Sequence, residues 1–289
     1  MKNQSIWLVR NEASGSNDED ALRAVRDAFA QAGNVIAGET CFPDEPPPDA
    51  AALDAAGIGT MCVFGGDGTI HSVVTGLFGW TGRILVLPGG TMNMLSRRLH
   101  GDAAPDEIIA RFGRGLAETV RPPILYNGRS YGLTGALAGP GVAWNDVREA
   151  MRHTAILDMA SAAIDAVVES VAGERVICVG HEEMRPEGYA AIALAPREGG
   201  IVVSGFYAEG AADFLGQLGA LLQRDFRKGP HDTVGVFPDV EITSSEGTPM
   251  GLMLDGEEQE GGARENFTLT ACGVDLLATD YGAEEPAIA

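Results

Sequence analysis

Apolar positions in the first hundred or so residues recur with two alternating periods. A run of four at 6–9 (IWLV) reads as a short buried strand. Over 16–33, Leu22, Val25, Phe29 and Ala32 fall at helical spacing, Ser16 and Glu19 stand at capping-box spacing, and Gly33 supplies a stop. The runs MCVF (61–64) and RILVLP (83–88) read as further strands, each leading into glycines and then a helical pattern. The first of those helices is expected to run to about Leu77 and the second to about His100, with DEIIARFGRG closing the region. The proline-rich stretch 41–53 reads as a surface connection. Repetition of strand, turn and helix predicts a parallel, right-handed α/β sheet. Ligands of such sheets bind at the carboxyl ends of strands, where both glycine turns fall.

Past residues 120–123 (VRPP) the texture changes. ILYNGRSYGL is a hairpin signal in which Asn127-Gly128 suits a type I′ turn. A helical pattern covers about 144–171, and strand patterns follow at 189–196, 201–208, 233–244, 249–257 and 266–278, interrupted by one helix at 211–226. The expectation is α/β plus β: a three-layer α/β domain at 1–122 and a mostly antiparallel β domain at 123–289, ending in a frayed tail.

A length of 289 residues agrees with two domains, and a hydrophobic content of 45% is ordinary for a globular protein. No apolar stretch reaches the ~18–20 uncharged residues of a membrane span, and 6–9 is too short for a signal-peptide core, so a cytoplasmic protein is expected. Cys41, Cys62, Cys178 and Cys272 lie far apart, which predicts buried thiols and gives no zinc or disulfide framework. With 41 acidic and 20 basic residues the formal charge is −21, which makes nucleic acid an improbable partner and disfavours adsorption to an anionic membrane. Lys2 and Lys228 are the only lysines, and no Gly-Lys pair of the Walker type exists. A bound nucleotide would therefore rely on backbone N–H groups, arginine and a metal ion.

The turns GGDGT (65–69) and LPGGTMNMLSRR (87–98) fit that requirement. Glycine adopts left-handed and mirror conformations at little cost and lets a ligand approach the backbone, so Gly65, Gly66 and Gly68 can present N–H groups to an anion. The helix that follows adds its positive end. Asp67 beside phosphates calls for a divalent cation such as Mg²⁺ or a substrate proton; the structural alternative is a cap on its own helix. Thr91 can cap the second helix or donate to a phosphate, and Asn93 and Arg97 share one face of it at i, i+4, with Arg97 the better-placed ion-pairing group.

GGDGT followed by LPGGTMNMLSR resembles the diacylglycerol-kinase-type lipid kinases, the group that includes bacterial lipid kinases and sphingosine and ceramide kinases. NEASGS (11–16) is similar to that family's N-P-x-S-G element, and MLDGEEQ (253–259) to its D-G-E element. The resemblance implies a two-domain kinase with ATP and Mg²⁺ in the cleft, an N-terminal nucleotide domain, and a C-terminal β-sandwich on the lipid side. The end of the chain is expected to return to the first domain. By the same resemblance Asn11 and Ser14 would lie near the nucleotide, and Gly65, Gly66, Gly68, Thr69, Gly90, Thr91 and Asn93 would build the phosphate site. Asp67 would serve Mg²⁺ or the reacting hydroxyl, Asp255 is the candidate general base, and Glu257 its neighbour at the nucleotide. A solvated Asp-Gly hairpin turn is the plain alternative for 255–257.

Departures from the family pattern are Glu12 in place of proline, His71-Ser72 in place of Asn-Glu, and Met94 in place of aspartate. The expected activity is phosphorylation of a lipid hydroxyl by ATP, diacylglycerol by default. The alternatives are an NAD kinase, which shares GGDGT, and a catalytically silent nucleotide- or lipid-binding module. Membrane contact is expected to be transient and apolar, and a homodimer stays open. Asp158, Asp165 and Glu169 are read as a solvated helix face that could otherwise serve a substrate or second metal.

Overall fold

A computed structural model describes residues 4–11, 19–139, 175–180, 185–206 and 231–282. Its elements in the first part of the chain are β1 (Ser5–Asn11), α1 (Glu19–Gln31), β2 (Val35–Phe42), α2 (Ala50–Ala55), β3 (Thr60–Gly65), α3 (Asp67–Gly76), β4 (Arg83–Pro88), α4 (Met94–His100), α5 (Pro105–Gly113) and β5 (Glu118–Val120). Then come β6 (Pro123–Tyr126), β7 (Tyr131–Gly132), β8 (Ala136–Gly139), β9 (Val176–Cys178), β10 (Ala191–Arg197) and β11 (Gly200–Phe206). The last are β12 (His231–Phe237), β13 (Asp239–Ser244), β14 (Gly251–Leu254), β15 (Glu257–Glu260), β16 (Arg264–Ala271) and β17 (Asp275–Ala278). The architecture is mixed α/β. The helical patterns at 144–171 and 211–226 lie outside the described residues.

The chain divides into two units, Met1–Pro122 with Ala271–Ala289, and Pro123–Thr270. In the first, one six-stranded sheet runs β2-β1-β3-β4-β17-β5. Its first four neighbour pairs are parallel, and β17 pairs antiparallel with β5. Strand β3 is buried at every position because it lies inside the sheet, which accounts for its continuous apolar run. Helix α1 forms as its periodicity predicts: Leu22, Val25 and Phe29 face a core shared with Ile6, Leu8, Cys62, Leu85 and Ile109, and Gly33 ends it at φ 76°.

Three sequence expectations are corrected here. Residues 35–42 form the edge strand β2, and part of the supposed surface connection forms α2, capped by Asp49. The edge strand buries only Thr40 fully and so lacks an alternating apolar signature. The pattern at 266–278 is two strands in different units, β16 and β17, with a turn at Gly273 whose Cβ would meet Phe78 at 2.5 Å. The pattern at 233–244 is likewise β12 and β13, parted at Pro238, since proline cannot continue the ladder.

The second unit has two antiparallel sheets among its described residues, β12-β11-β10-β8-β14-β15 and β7-β6-β16-β13-β9. One core draws on both: Ile192, Leu194, Val203 and Leu252 from the first, Leu125, Val240, Ile242 and Phe267 from the second. Asn127-Gly128 does not form a two-residue type I′ turn. Tyr126 pairs with Tyr131 across a four-residue loop, and the Asn127 Oδ1 accepts the N–H groups of Arg129 and Ser130.

Candidate phosphate-binding turns

The turn from β3 into α3 starts at Gly65. Gly66 is the extended N-cap residue, with φ −79° and ψ 174°, and Asp67 begins the helix. None of Gly65, Gly66, Gly68 or Gly90 has a positive φ, so the sequence-based account of these glycines is corrected. Space, not handedness, is what they supply. A Cβ on Gly65 would press within 3.0 Å of the Thr69 Cβ. The N-cap residue of α3, Gly66, has no side chain to cap it, and the amides of a first helical turn have no acceptors within the helix. An anion suits that end.

The second turn is built against the first. Gly89 N–H donates to the Gly65 carbonyl at 3.1 Å, continuing the β3–β4 ladder beyond Pro88. A Cβ on Gly90 would lie 2.6 Å from the Gly66 Cα, so the two backbones touch where only glycine fits. Asn93 has left-handed backbone at φ 54°, a conformation asparagine tolerates. Its side chain closes the loop reciprocally: Oδ1 accepts from Gly90 N–H and Nδ2 donates to the Gly90 carbonyl, each at 2.7 Å.

Asp67 ties the turns together. Its Oδ2 accepts the Asn93 N–H at 2.9 Å and its Oδ1 the Met94 N–H at 2.7 Å. The carboxylate thus caps the start of α4, not of its own helix. A carboxylate there complements the positive end of α4. Neither the 26-residue separation nor residue type signals this crossing; at position 94 the backbone N–H is used, and it is blind to the methionine side chain.

The remaining first-unit candidates fall as follows. Asn11, at the end of β1, donates from Nδ2 to Thr69 Oγ1 at 2.7 Å, joining the first motif to the second. Thr69 is buried, and Thr91 is exposed and does not cap α4. Ser14 lies outside the described residues. Asn93 stands before α4 as its N-cap, so the expected shared helix face with Arg97 does not form. Arg97 makes an ion pair with Asp102 at the far end of that helix.

The far end of α4 is also held. Thr279 and Asp280, just past β17, both donate N–H to the Leu99 carbonyl, at 3.0 and 3.1 Å. His100, 1% exposed, accepts the Thr279 N–H at Nδ1 (3.2 Å), with the Thr279 hydroxyl 3.0 Å away. Burial lowers the His100 pKa to about 4; backbone bonding to Val86 works against that shift and Arg111 adds to it. Sequence reasoning misses His100 because a helix-terminal histidine carries no mark of burial.

In the second unit, Asp255 and Gly256 form a two-residue hairpin turn between β14 and β15, with φ 52° and 84°. The side chain is nevertheless not solvated. Asp255 is 7% exposed, and its Oδ1 accepts from Thr134 N–H and Thr134 Oγ1, both 2.7 Å, and from Gly135 N–H at 3.2 Å. Its Oδ2 accepts from Leu133 N–H at 2.7 Å. The segment 133–135, which the sequence did not flag, is thus the partner of the Asp-Gly turn. Glu257 opens β15, half-buried.

Among the described residues no three His, Cys, Asp or Glu side chains gather as a metal cage. The donor set at the turns is one carboxylate, Asp67, which suits Mg²⁺ carried by nucleotide phosphates better than a resident ion.

Residues 5–122 match the family model of the diacylglycerol kinase catalytic domain, and the resemblance read from the motifs is shown for that segment. No curated protein matches the chain. A crystal structure of a diacylglycerol kinase from Bacillus anthracis is similar over 96% of this chain and 98% of that one, at 16% identity and a TM-score of 0.62. A candidate diacylglycerol kinase from the same organism covers 100% of both chains at 15% identity and a TM-score of 0.60. Identities this low speak for the fold. No helix among the described residues is long and apolar enough to cross a membrane.

Proposed function

We propose that this protein is an ATP-dependent lipid kinase that transfers the γ-phosphoryl group of Mg-ATP to a lipid hydroxyl, diacylglycerol by default. One observation carries the reading. The β3–α3 and β4–α4 turns touch through Gly66 and Gly90 and are bridged by Asp67, which makes a single backbone-lined unit at the start of α3, whose N-cap residue is a glycine. Such a unit suits a polyphosphate, since amides and the helix end neutralise charge without lysine. The kinase family match over the same residues supports a phosphoryl donor there.

In the proposed reaction the acceptor oxygen bonds to the γ-phosphorus as the bond to the β–γ bridging oxygen breaks, releasing ADP. The hydroxyl proton passes to a carboxylate late in the transfer. Mg²⁺ bound to the nucleotide would neutralise developing phosphate charge, with Asp67 its protein ligand. Asp255 is the proposed proton acceptor, oriented by Leu133, Thr134 and Gly135. Membrane contact is proposed as transient and apolar, because a formal charge of −21 disfavours electrostatic docking.

The test is an assay of the purified protein with γ-labelled Mg-ATP against dispersed diacylglycerol, other lipid alcohols and NAD. Labelled lipid is expected. Phosphorylated NAD without labelled lipid reverses the assignment, and nucleotide binding without turnover on any acceptor points to a silent binding module.

A further inference from the structure

Thr69 is the third residue of α3, 4% exposed, with its side chain folded back over Gly65. A hydroxyl has one proton to donate and lone pairs to accept. The Asn11 Nδ2 at 2.7 Å occupies a lone pair of Oγ1. Among the described residues this is the hydroxyl's only hydrogen bond, and it is made as acceptor. The Thr69 proton is left to donate elsewhere, in the first turn of α3.

We infer that Asn11 is a positioning residue that commits the Thr69 O–H to donate to a phosphate oxygen of the bound nucleotide. The inference rests on the proposed phosphate site. It concerns how the hydroxyl is oriented: without the Nδ2 donor, Oγ1 turns freely and its proton is offered to the ligand only part of the time. Asn11 also stitches the end of β1 to the first turn of α3, so one hydrogen bond both fixes the helix start and sets the polarity of the hydroxyl.

The experiment is a double-mutant cycle on the full chain, with the Kd for Mg-AMP-PNP measured by calorimetry for wild type, N11A, T69V, N11A/T69V and T69S. A hydrogen bond to a charged phosphate predicts that N11A and T69V each weaken binding about tenfold. The double variant is expected to be no weaker than the weaker-binding single variant, and T69S to stay within about twofold of wild type, since it keeps the hydroxyl. Multiplying effects in the double variant, or loss of affinity in N11A with T69V unchanged, would show Asn11 contacting the nucleotide itself and overturn the inference. Thermal midpoints of all five proteins separate this from a purely structural role, in which stability falls and affinity does not. T69S keeps the test decisive should T69V fold poorly: a T69S affinity as low as that of N11A also overturns the inference. A folded wild type that binds no nucleotide removes the phosphate site, an outcome distinct from wild-type binding with additive variants.

Discussion

Replacing Gly90 with alanine puts the contact between the two turns to a direct test. The added Cβ would stand 2.6 Å from the Gly66 Cα and 3.4 Å from both the Gly66 nitrogen and Asn93 Oδ1. Carbons in contact sit at about 3.5–4.0 Å, so the turns must separate by about 1 Å. Neither wall can yield cheaply, because one is backbone anchored by β3 and the other is the Asn93 side chain bonded twice to Gly90 itself. Overpacking of this kind costs about 1–3 kcal/mol. A displacement of about 1 Å at a preorganised site can reduce catalysis roughly a hundredfold. The expected outcome for G90A is therefore a modest loss in urea-unfolding stability and a far larger loss in phosphoryl transfer and Mg-AMP-PNP affinity. Gly76, exposed at the end of α3, supplies the control, since a Cβ added there would meet nothing within 4 Å. G76A is expected to match or exceed wild-type stability by up to about 1 kcal/mol and to leave activity unchanged. Wild-type nucleotide affinity in G90A would refute the claim that the turns work as one unit.

Asp67→Asn keeps one carbonyl acceptor and loses the charge that caps α4, so stability is expected to fall by about 1–2 kcal/mol in chemical denaturation, with nucleotide affinity falling too. Asp255→Ala leaves the N–H groups of Leu133, Thr134 and Gly135 without their acceptor, with an expected loss of about 3 kcal/mol or more and of activity; thermal melts alongside the lipid assay check both. His100 gives a pH signature. Its folded pKa of about 4 lies below the ordinary 6.5, so between those values the unfolded chain binds the proton more readily and acid favours unfolding. The His100 contribution is present above pH 6.5 and falls away toward pH 4, by about 2 kcal/mol between pH 7.5 and 5. Urea titrations at those two pH values are expected to show that much less acid sensitivity in H100Q; equal sensitivity in both proteins would place the acid response elsewhere.

The parts of the fold that were legible in the sequence are those whose local pattern and tertiary role coincide. Leu22, Val25 and Phe29 repeat at helical spacing because one face of α1 is buried, and the glycine turns stand out because little else tolerates such close backbone approach. Strand β2 was not legible, since an edge strand needs no alternating apolar face. The run at 266–278 misled because apolar continuity does not reveal that Gly273 redirects the chain into another unit. At the candidate site, residue types pointed to two turns that meet in the fold, but not to the contacts between them. Asp67 bonding to α4, Asn11 to Thr69 and Asp255 to 133–135 are long-range pairings that sequence spacing does not encode.

The placement of β17 between β4 and β5 bears on how the protein can be made. Among the described residues strand β5 has no sheet neighbour other than β17, and the C-terminal anchor of α4 comes from Thr279 and Asp280. During synthesis the sheet of the first unit therefore waits, with a bare edge at β4, until residues 275–278 leave the ribosome after the whole second unit has emerged. A fragment cut at residue 122, where the family match stops, would carry both glycine turns and still lack the strand that joins β4 to β5.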